Sequence, residues 1–283
     1  MKLVTWAHPD GPRPGALADD GGVVDLAGVE GSVEALIGAG AEALGEARER
    51  SASGLSRPAQ LLAPLRPASL RDFLAFEDHA KGGAARRNEQ LNPAWYRSPV
   101  YYKGNHRSIV GPGADVAWPS FTEKLDFELE LGCVLGIQAR DLDHEGAAAA
   151  IFGYTIMNDW SARDVQRDEM AMRLGPAKSK DFATSLGPCI VTADELDPRD
   201  GLTMIARVNG ETWCEASSAH MAWTFPMMIE HVSRGEDVHP GDVYGSGTPF
   251  GGCGLDLDRW IQPGDVVELE VEGIGVLRNR VVR

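Results

Sequence analysis

The segment Lys124–Leu131 reads KLDFELEL, with a carboxylate at every second position: Asp126, Glu128 and Glu130. In a strand, alternate side chains share a face. These three acids would then stand on one side, with Leu125, Phe127, Leu129 and Leu131 on the other. Crowded carboxylates repel one another, and a hard divalent cation between them removes the repulsion and takes their oxygens as ligands. The same alternation fits the exposed polar face of a half-buried strand. Downstream, the apolar run Ile151–Met157 delivers Asn158, Asp159 and Trp160, followed by Arg163 and Gln166. On a helix beginning at Ser161, Arg163 and Gln166 would lie three apart on one face. The alternative reading makes Asp159 a helix cap and Arg163 half of a surface ion pair.

Several motifs, in this order, resemble the fumarylacetoacetate hydrolase family: LDFELE at 125–130, MNDWSARDVQ at 157–166, Gly175-Pro176 through Lys180-Asp181-Phe182, and GDVVELEVEGIGVLRN at 264–279. The resemblance covers roughly residues 65–283. It implies a mixed β-sandwich roll, a homodimer, and Mg²⁺ or Ca²⁺ (Mn²⁺ as an alternative) bound near the mouth. Glu128 and Glu130 match the paired metal ligands and Asp159 the later one. Arg163, Gln166 and Lys180 match residues that contact substrate or stabilise developing negative charge, with Lys178 as a nearby competitor for Lys180.

The stretch Arg71–Ala80, RDFLAFEDHA, extends the resemblance. There Asp72 matches a fourth metal carboxylate and His79 the catalytic histidine; Asp72 as a cap, and Glu77 or Asp78 as rival acids, remain open. In Gly254–Trp260, Asp256 stands where the family has the glutamate that partners the histidine, one methylene shorter. Tyr102 falls in a substrate-contacting loop. Thr248, in Ser246-Gly247-Thr248, falls in another. Either Arg86 or Arg87, or neither, takes the place of an arginine that grips a substrate carboxylate; solvated loops are the alternative for all of these. The implied activity is hydrolysis of a carbon–carbon bond in a 1,3-diketo acid of fumarylacetoacetate or acylpyruvate type, with His79 as general base. The rival within the family is a decarboxylase or isomerase working through a metal-stabilised enolate. The rival outside it is a non-catalytic, metal-stabilised binding protein.

Other chemistries find little support. Cys133, Cys189, Cys214 and Cys253 form no C-x-x-C pair, which argues against a thiolate zinc site. No G-x-S-x-G elbow occurs, and Gly247–Gly252 lacks the Lys-Ser/Thr of a phosphate loop. His8, His144, His231 and His239 receive no role. The net charge of −15 disfavours nucleic acid and anionic membrane as partners; the small keto-acid substrate is what the family resemblance implies. No stretch has the length of a signal or spanning segment, so a cytoplasmic location is the expectation.

The elements that must position these residues are mostly strands. With 283 residues, 43% hydrophobic and 24% charged, the chain suits a small unit plus a large one. Residues 1–65 read as a small β-rich domain: a strand at Lys2–Ala7, a turn at Gly21-Gly22 and a helical stretch over Ser32–Ser51. Residues 66–283 form the catalytic domain. Lys124–Leu135, Cys189–Thr192, Leu202–Val208 and Val266–Val271 read as strands and Glu145–Tyr154 as a helix. The predicted class is mainly β or α+β.

Overall fold

The computed structural model describes residues 1–283. Its largest sheet runs in the order Val23–Asp25, Arg13–Leu17, Lys2–Trp6, Thr184–Thr192, Ile151–Asp159, Leu129–Leu135, Val243–Gly245, Leu70–Phe73, Tyr101–Gly104. A five-stranded sheet runs Glu211–Ser217, Thr203–Val208, Val266–Val271, Gly275–Val282, Asp115–Ala117. Helices are few and short, so the mainly β, α+β expectation holds. None is long and apolar enough to cross a membrane.

Alternation explains how the layers stack. Thr203–Val208 and Val266–Val271 bury every second residue: Met204, Ala206 and Val208 from one, Val267, Leu269 and Val271 from the other. These pack against Leu129, Leu131, Cys133 and Ile156 of the large sheet in one apolar core. Leu129–Leu135 and Ile151–Asp159 are covered on their other face as well, where Val134 and Met157 meet Leu3, Leu26, Leu36 and Ile37. Strands buried on both faces read as nearly continuous apolar runs. Lys2–Trp6 pairs with Thr184–Thr192 (Lys2 opposite Val191), so the amino-terminal residues extend the large sheet.

Three expected elements differ. Lys124–Leu135 is not one strand: Leu125–Asp126 pairs with Ser161–Ala162, the chain breaks step at Phe127-Glu128, and Leu129–Leu135 enters the large sheet. The helix read over Glu145–Tyr154 ends at Ala149, and Ile151–Asp159 is a strand. Its β-branched and aromatic residues suit a strand, and pairing to Leu129–Leu135 on one side and Thr184–Thr192 on the other overrides the preceding alanines. The Ser32–Ser51 stretch is two helices, Val33–Ala39 and Ala41–Ser53, meeting at Gly40, whose φ of +80° is open to glycine.

Candidate active site

The carboxylates converge at one end of the large sheet. Asp72, Glu128, Glu130 and Asp159 bring one oxygen each to within 4.8 Å of the others. None is more than 6% exposed, which excludes the exposed-polar-face reading. Glu130 and Asp159 come from neighbouring strands, but the Val243–Gly245 strand separates Glu130 from Asp72. Two strand spacings amount to about 9.5 Å, a gap closed because residue 245 has no side chain. A Cβ there would lie 2.4 Å from Asp72 Oδ1 and 2.8 Å from Glu130 Oε2. The next turn of backbone contributes a donor: Gly247 N–H faces Asp72 Oδ1 at 3.1 Å and Glu130 Oε2 at 3.2 Å.

Charge in this cluster is unevenly compensated. Burial alone would raise the Glu128 carboxyl, yet the Lys180 ammonium and Arg163 guanidinium hold it below the usual carboxylate range. Lys180 Nζ donates to Glu128 Oε2 at 2.5 Å and also to Asp159 Oδ2. Tyr102 O–H donates to the same Asp159 oxygen at 2.7 Å. Burial and the neighbouring Asp159 push Asp72 up to about 8, and burial with Asp72 and Glu128 pushes Glu130 well up. Glu130 Oε1 and Asp159 Oδ1 are buried without any hydrogen-bond partner. Orphaned oxygens, an all-carboxylate donor set and a glycine that makes room for it fit a hard divalent cation.

Arg163 and Asp126 set Glu128 in place. Asp126, predicted on the face shared by the three acids, is not in the cluster. Its oxygens accept from Gly254 N–H at 2.8 Å and Leu255 N–H at 3.0 Å, and from Arg163 Nε at 2.8 Å. The broken strand is the reason: Asp126 lies before the step and Glu128 after it. Arg163 opens the Arg163–Ala171 helix, its Nη2 reaching Glu128 Oε1 at 2.8 Å and its Nη1 reaching Gln166 Oε1 at 2.9 Å. All three of its nitrogens are thus engaged by protein. Asp159 ends a strand and caps no helix.

A second group adjoins the first. His79, in the Glu77–Arg86 helix, has its Nδ1 2.8 Å from Asp256 Oδ2. Gly251 N–H donates to that oxygen at 2.9 Å. Arg86 Nη1 lies 3.0 Å from Asp256 Oδ1, close enough for an ion pair but outside hydrogen-bond alignment, since Oδ1 has no aligned donor. Burial would raise Asp256, but the His79 hydrogen bond and charge, the Gly251 N–H and Arg86 hold it below its ordinary value. The shorter acid therefore spans to the histidine. The two groups meet through Cys253, whose backbone bridges Glu128, and through Leu129 N–H, which donates to Gly252 O at 2.9 Å.

The remaining predicted residues fall as follows. Thr248 is buried near Gly252, its hydroxyl without a partner. Arg87 turns outward to Glu89 at 3.0 Å. Lys178 sits over the Phe121 ring at 4.8 Å and not at the carboxylates. Glu77 is taken by Lys81 at 2.7 Å and Tyr96 at 2.6 Å, and Asp78 is exposed. Sequence reasoning missed Gly245 and Gly247, which act through an absent side chain and a backbone N–H. It also missed Asn158, whose Oδ1 accepts Glu128 N–H at 3.0 Å; its place beside Asp159 in the motif was the available signal.

Residues 69–282 match the model of the fumarylacetoacetate (FAA) hydrolase C-terminal family. The chain belongs to that family. The oxaloacetate tautomerase YisK of Bacillus subtilis is 32% identical over 208 residues, which are 73% of this chain and 66% of that protein, just under two thirds of its length. Among solved structures, a fumarylacetoacetate hydrolase from Exiguobacterium antarcticum superposes with a TM-score of 0.83 at 31% identity, covering 100% of this chain and 99% of its own. A 5-carboxymethyl-2-hydroxymuconate delta-isomerase from Mycobacterium smegmatis superposes with a TM-score of 0.77 at 29% identity, covering 100% of both. Family members with this fold thus carry hydrolase, isomerase and tautomerase names.

Proposed function

We propose that the protein is a divalent-metal-dependent hydrolase that cleaves the carbon–carbon bond of a 1,3-diketo acid of fumarylacetoacetate or acylpyruvate type. The observation that carries this reading is the 2.8 Å His79–Asp256 pair adjoining the carboxylate cluster. A hard divalent cation (Mg²⁺, Ca²⁺ or Mn²⁺) held by Asp72, Glu128, Glu130 and Asp159 would polarise the substrate oxygens as a Lewis acid.

The chain's own residues supply the proton chemistry. Ionised Asp256 accepts the Nδ1 proton of neutral His79, which fixes the tautomer and leaves the Nε2 lone pair to take a proton from water. The hydroxide so formed adds to one carbonyl carbon. The bond to the neighbouring carbon breaks, and that fragment leaves as an enolate which the proton then quenches. Lys180, bonded to Glu128 and Asp159 at the carboxylate cluster, is the cation assigned to steady the negative charge that grows on the substrate. Arg163 holds Glu128 in register, and Tyr102 orients Asp159. Thr248 has an unpaired hydroxyl to offer a substrate oxygen.

The likeness to a tautomerase and an isomerase favours a second reading, in which the same pair moves a proton on an enolate without water attack. Incubating the protein with acylpyruvates, fumarylacetoacetate-like diketones and oxaloacetate, with and without Mg²⁺, separates the two. Hydrolysis yields two acid fragments, whereas tautomerisation, isomerisation or decarboxylation does not. Metal-independent turnover, or none on any keto acid, would sink both readings.

A further inference from the structure

We propose that His79, Cys253 and Asp256 form a second metal site, one that takes a borderline-soft ion such as Zn²⁺ and, when filled, switches the His79–Asp256 pair off. An imidazole nitrogen, the Cys253 sulfur and a carboxylate oxygen lie within 4.8 Å of one another. Three protein donors with a fourth position open is a zinc-type coordination set. Tetrahedral zinc with Zn–N and Zn–O bonds of about 2.0–2.2 Å and a Zn–S bond of about 2.3 Å holds such donors about 3.3–3.6 Å apart. Donors now up to 4.8 Å apart therefore close by about 1.5 Å at most, while Nδ1, 2.8 Å from Asp256 Oδ2, widens by about 0.5 Å if it is the ligand. Side-chain rotation supplies both movements.

Donor chemistry sorts the two sites. The carboxylate cluster is all oxygen and selects hard ions; nitrogen, sulfur and oxygen together select Zn²⁺ or Co²⁺. Both can therefore be filled at once. The thiol also has no part in the proton transfer, since the His79–Asp256 hydrogen bond is complete without it. Chain geometry fixes it there. Cys253 immediately precedes the Gly254–Leu257 helix that carries Asp256, and its backbone bridges Glu128.

Arg86 opposes an incoming cation. It meets only Oδ1, without alignment, and its side chain is 33% exposed, so it can swing to solvent. Entry is from the His79 side, because the His79 side chain is 13% exposed and that of Asp256 not at all.

The proton count explains the switch, a consequence that rests on His79 being the base of the proposed reaction. The thiol proton leaves to solvent. If the ion takes Nδ1, the ring proton moves to Nε2; if it takes Nε2, the lone pair is occupied directly. Either way His79 has no lone pair left for water.

The test uses Mg²⁺-saturated protein and Co²⁺ as a spectroscopic stand-in for Zn²⁺. Co²⁺ at the carboxylates gives no sulfur signal. At His79–Cys253–Asp256 it gives a near-ultraviolet thiolate-to-cobalt band at one equivalent, which Zn²⁺ abolishes. The band should vanish in Cys253→Ala and in the better-packed Cys253→Ser, and survive in Cys214→Ala. In turnover at saturating Mg²⁺, the half-inhibitory Zn²⁺ concentration should rise at least about tenfold in Cys253→Ser, equivalent to about 1.4 kcal/mol of lost binding. No band in the wild type, a band surviving both Cys253 variants, or a band without inhibition overturns the proposal. If no keto acid is turned over, the proposed function fails while the cobalt band still decides the site.

Discussion

Arg86 and His79 grip opposite oxygens of Asp256 from one helix, Arg86 Nη1 at 3.0 Å from Oδ1 and His79 Nδ1 at 2.8 Å from Oδ2. Seven residues apart, they sit two turns along the same helical face. The family resemblance offers Arg86 as a clamp for a substrate carboxylate, but its position suggests that it docks the His79 helix onto Asp256. Arg86→Met should then lower kcat about fivefold with little change in KM. That corresponds to the ~1 kcal/mol typical of a partly exposed ion pair. Steady-state kinetics decides: a rise in KM at constant kcat would make Arg86 a substrate anchor.

Gly245 supports a different kind of expectation, because it works by having no side chain. Gly245→Ala places a methyl 2.4 Å from both Asp72 Oδ1 and Met157 Cε. The carboxylates must separate, so Mg²⁺ affinity should fall at least tenfold. Glu128→Gln and Asp159→Asn should likewise lose the Mg²⁺-dependent rise in melting temperature together with activity. Thermal melts across a Mg²⁺ titration check this, and unchanged affinity in all three variants would refute the four-carboxylate site.

Lys180 is buried and bonded to Glu128 and Asp159, and these acids raise it above its ordinary value even though burial alone would lower it. Lys180→Met should therefore cut kcat more than it raises KM, as expected for a contact stronger in the transition state. A pure KM effect would mark it as a ground-state anchor.

Asp256 predicts an acid-side dependence of stability. Its folded value lies below the ordinary one, so the unfolded chain takes up its proton first as pH falls. The stabilisation is complete above the unfolded carboxyl value of about 3.9 and is lost as pH drops through the lower folded value. Urea unfolding of wild type and Asp256→Asn should differ at about pH 5 and converge in stronger acid. A gap that does not close there would show that Asp256 contributes no such linkage.

The part of the site legible in sequence is the part written in local alternation and ordered motifs. Glu128, Glu130 and Asp159 could be named because each lies in a motif with a fixed offset. Asp126 was misplaced because alternation assumes an unbroken strand, and the step at Phe127-Glu128 is set by pairing with Ser161–Ala162 and the large sheet. The Ile151–Asp159 strand was half hidden behind alanines for the same reason: its partners are distant in sequence. Gly245 and Gly247 received no role because a glycine's residue type does not say which distant side chains close over it or what its backbone N–H meets, here Asp72 and Glu130. The mainly β class survived these errors because it depends on the number of apolar alternations and not on their ends.

His79 separates the two readings of the chemistry. Removing a general base typically costs about 10²–10⁴ in rate, so His79→Ala should lose hydrolysis on that scale. Its Mg²⁺ affinity should stay unchanged, because His79 belongs to the second group and not to the four carboxylates. Asp256→Asn should lose less, since the imidazole remains but its tautomer and direction are no longer fixed. The decisive comparison pairs a diketone with oxaloacetate. Hydrolysis requires a base for water, whereas decarboxylation needs only that enolate charge be stabilised, and Lys180 and the carboxylate site survive the substitution. Loss of diketone cleavage with oxaloacetate decarboxylation intact assigns His79 to water activation. Loss of proton exchange at the oxaloacetate methylene, in a wild-type enzyme that never cleaves a diketone, assigns it to tautomerisation. Wild-type cleavage of the best diketone by His79→Ala would remove His79 from the mechanism and the hydrolase reading with it.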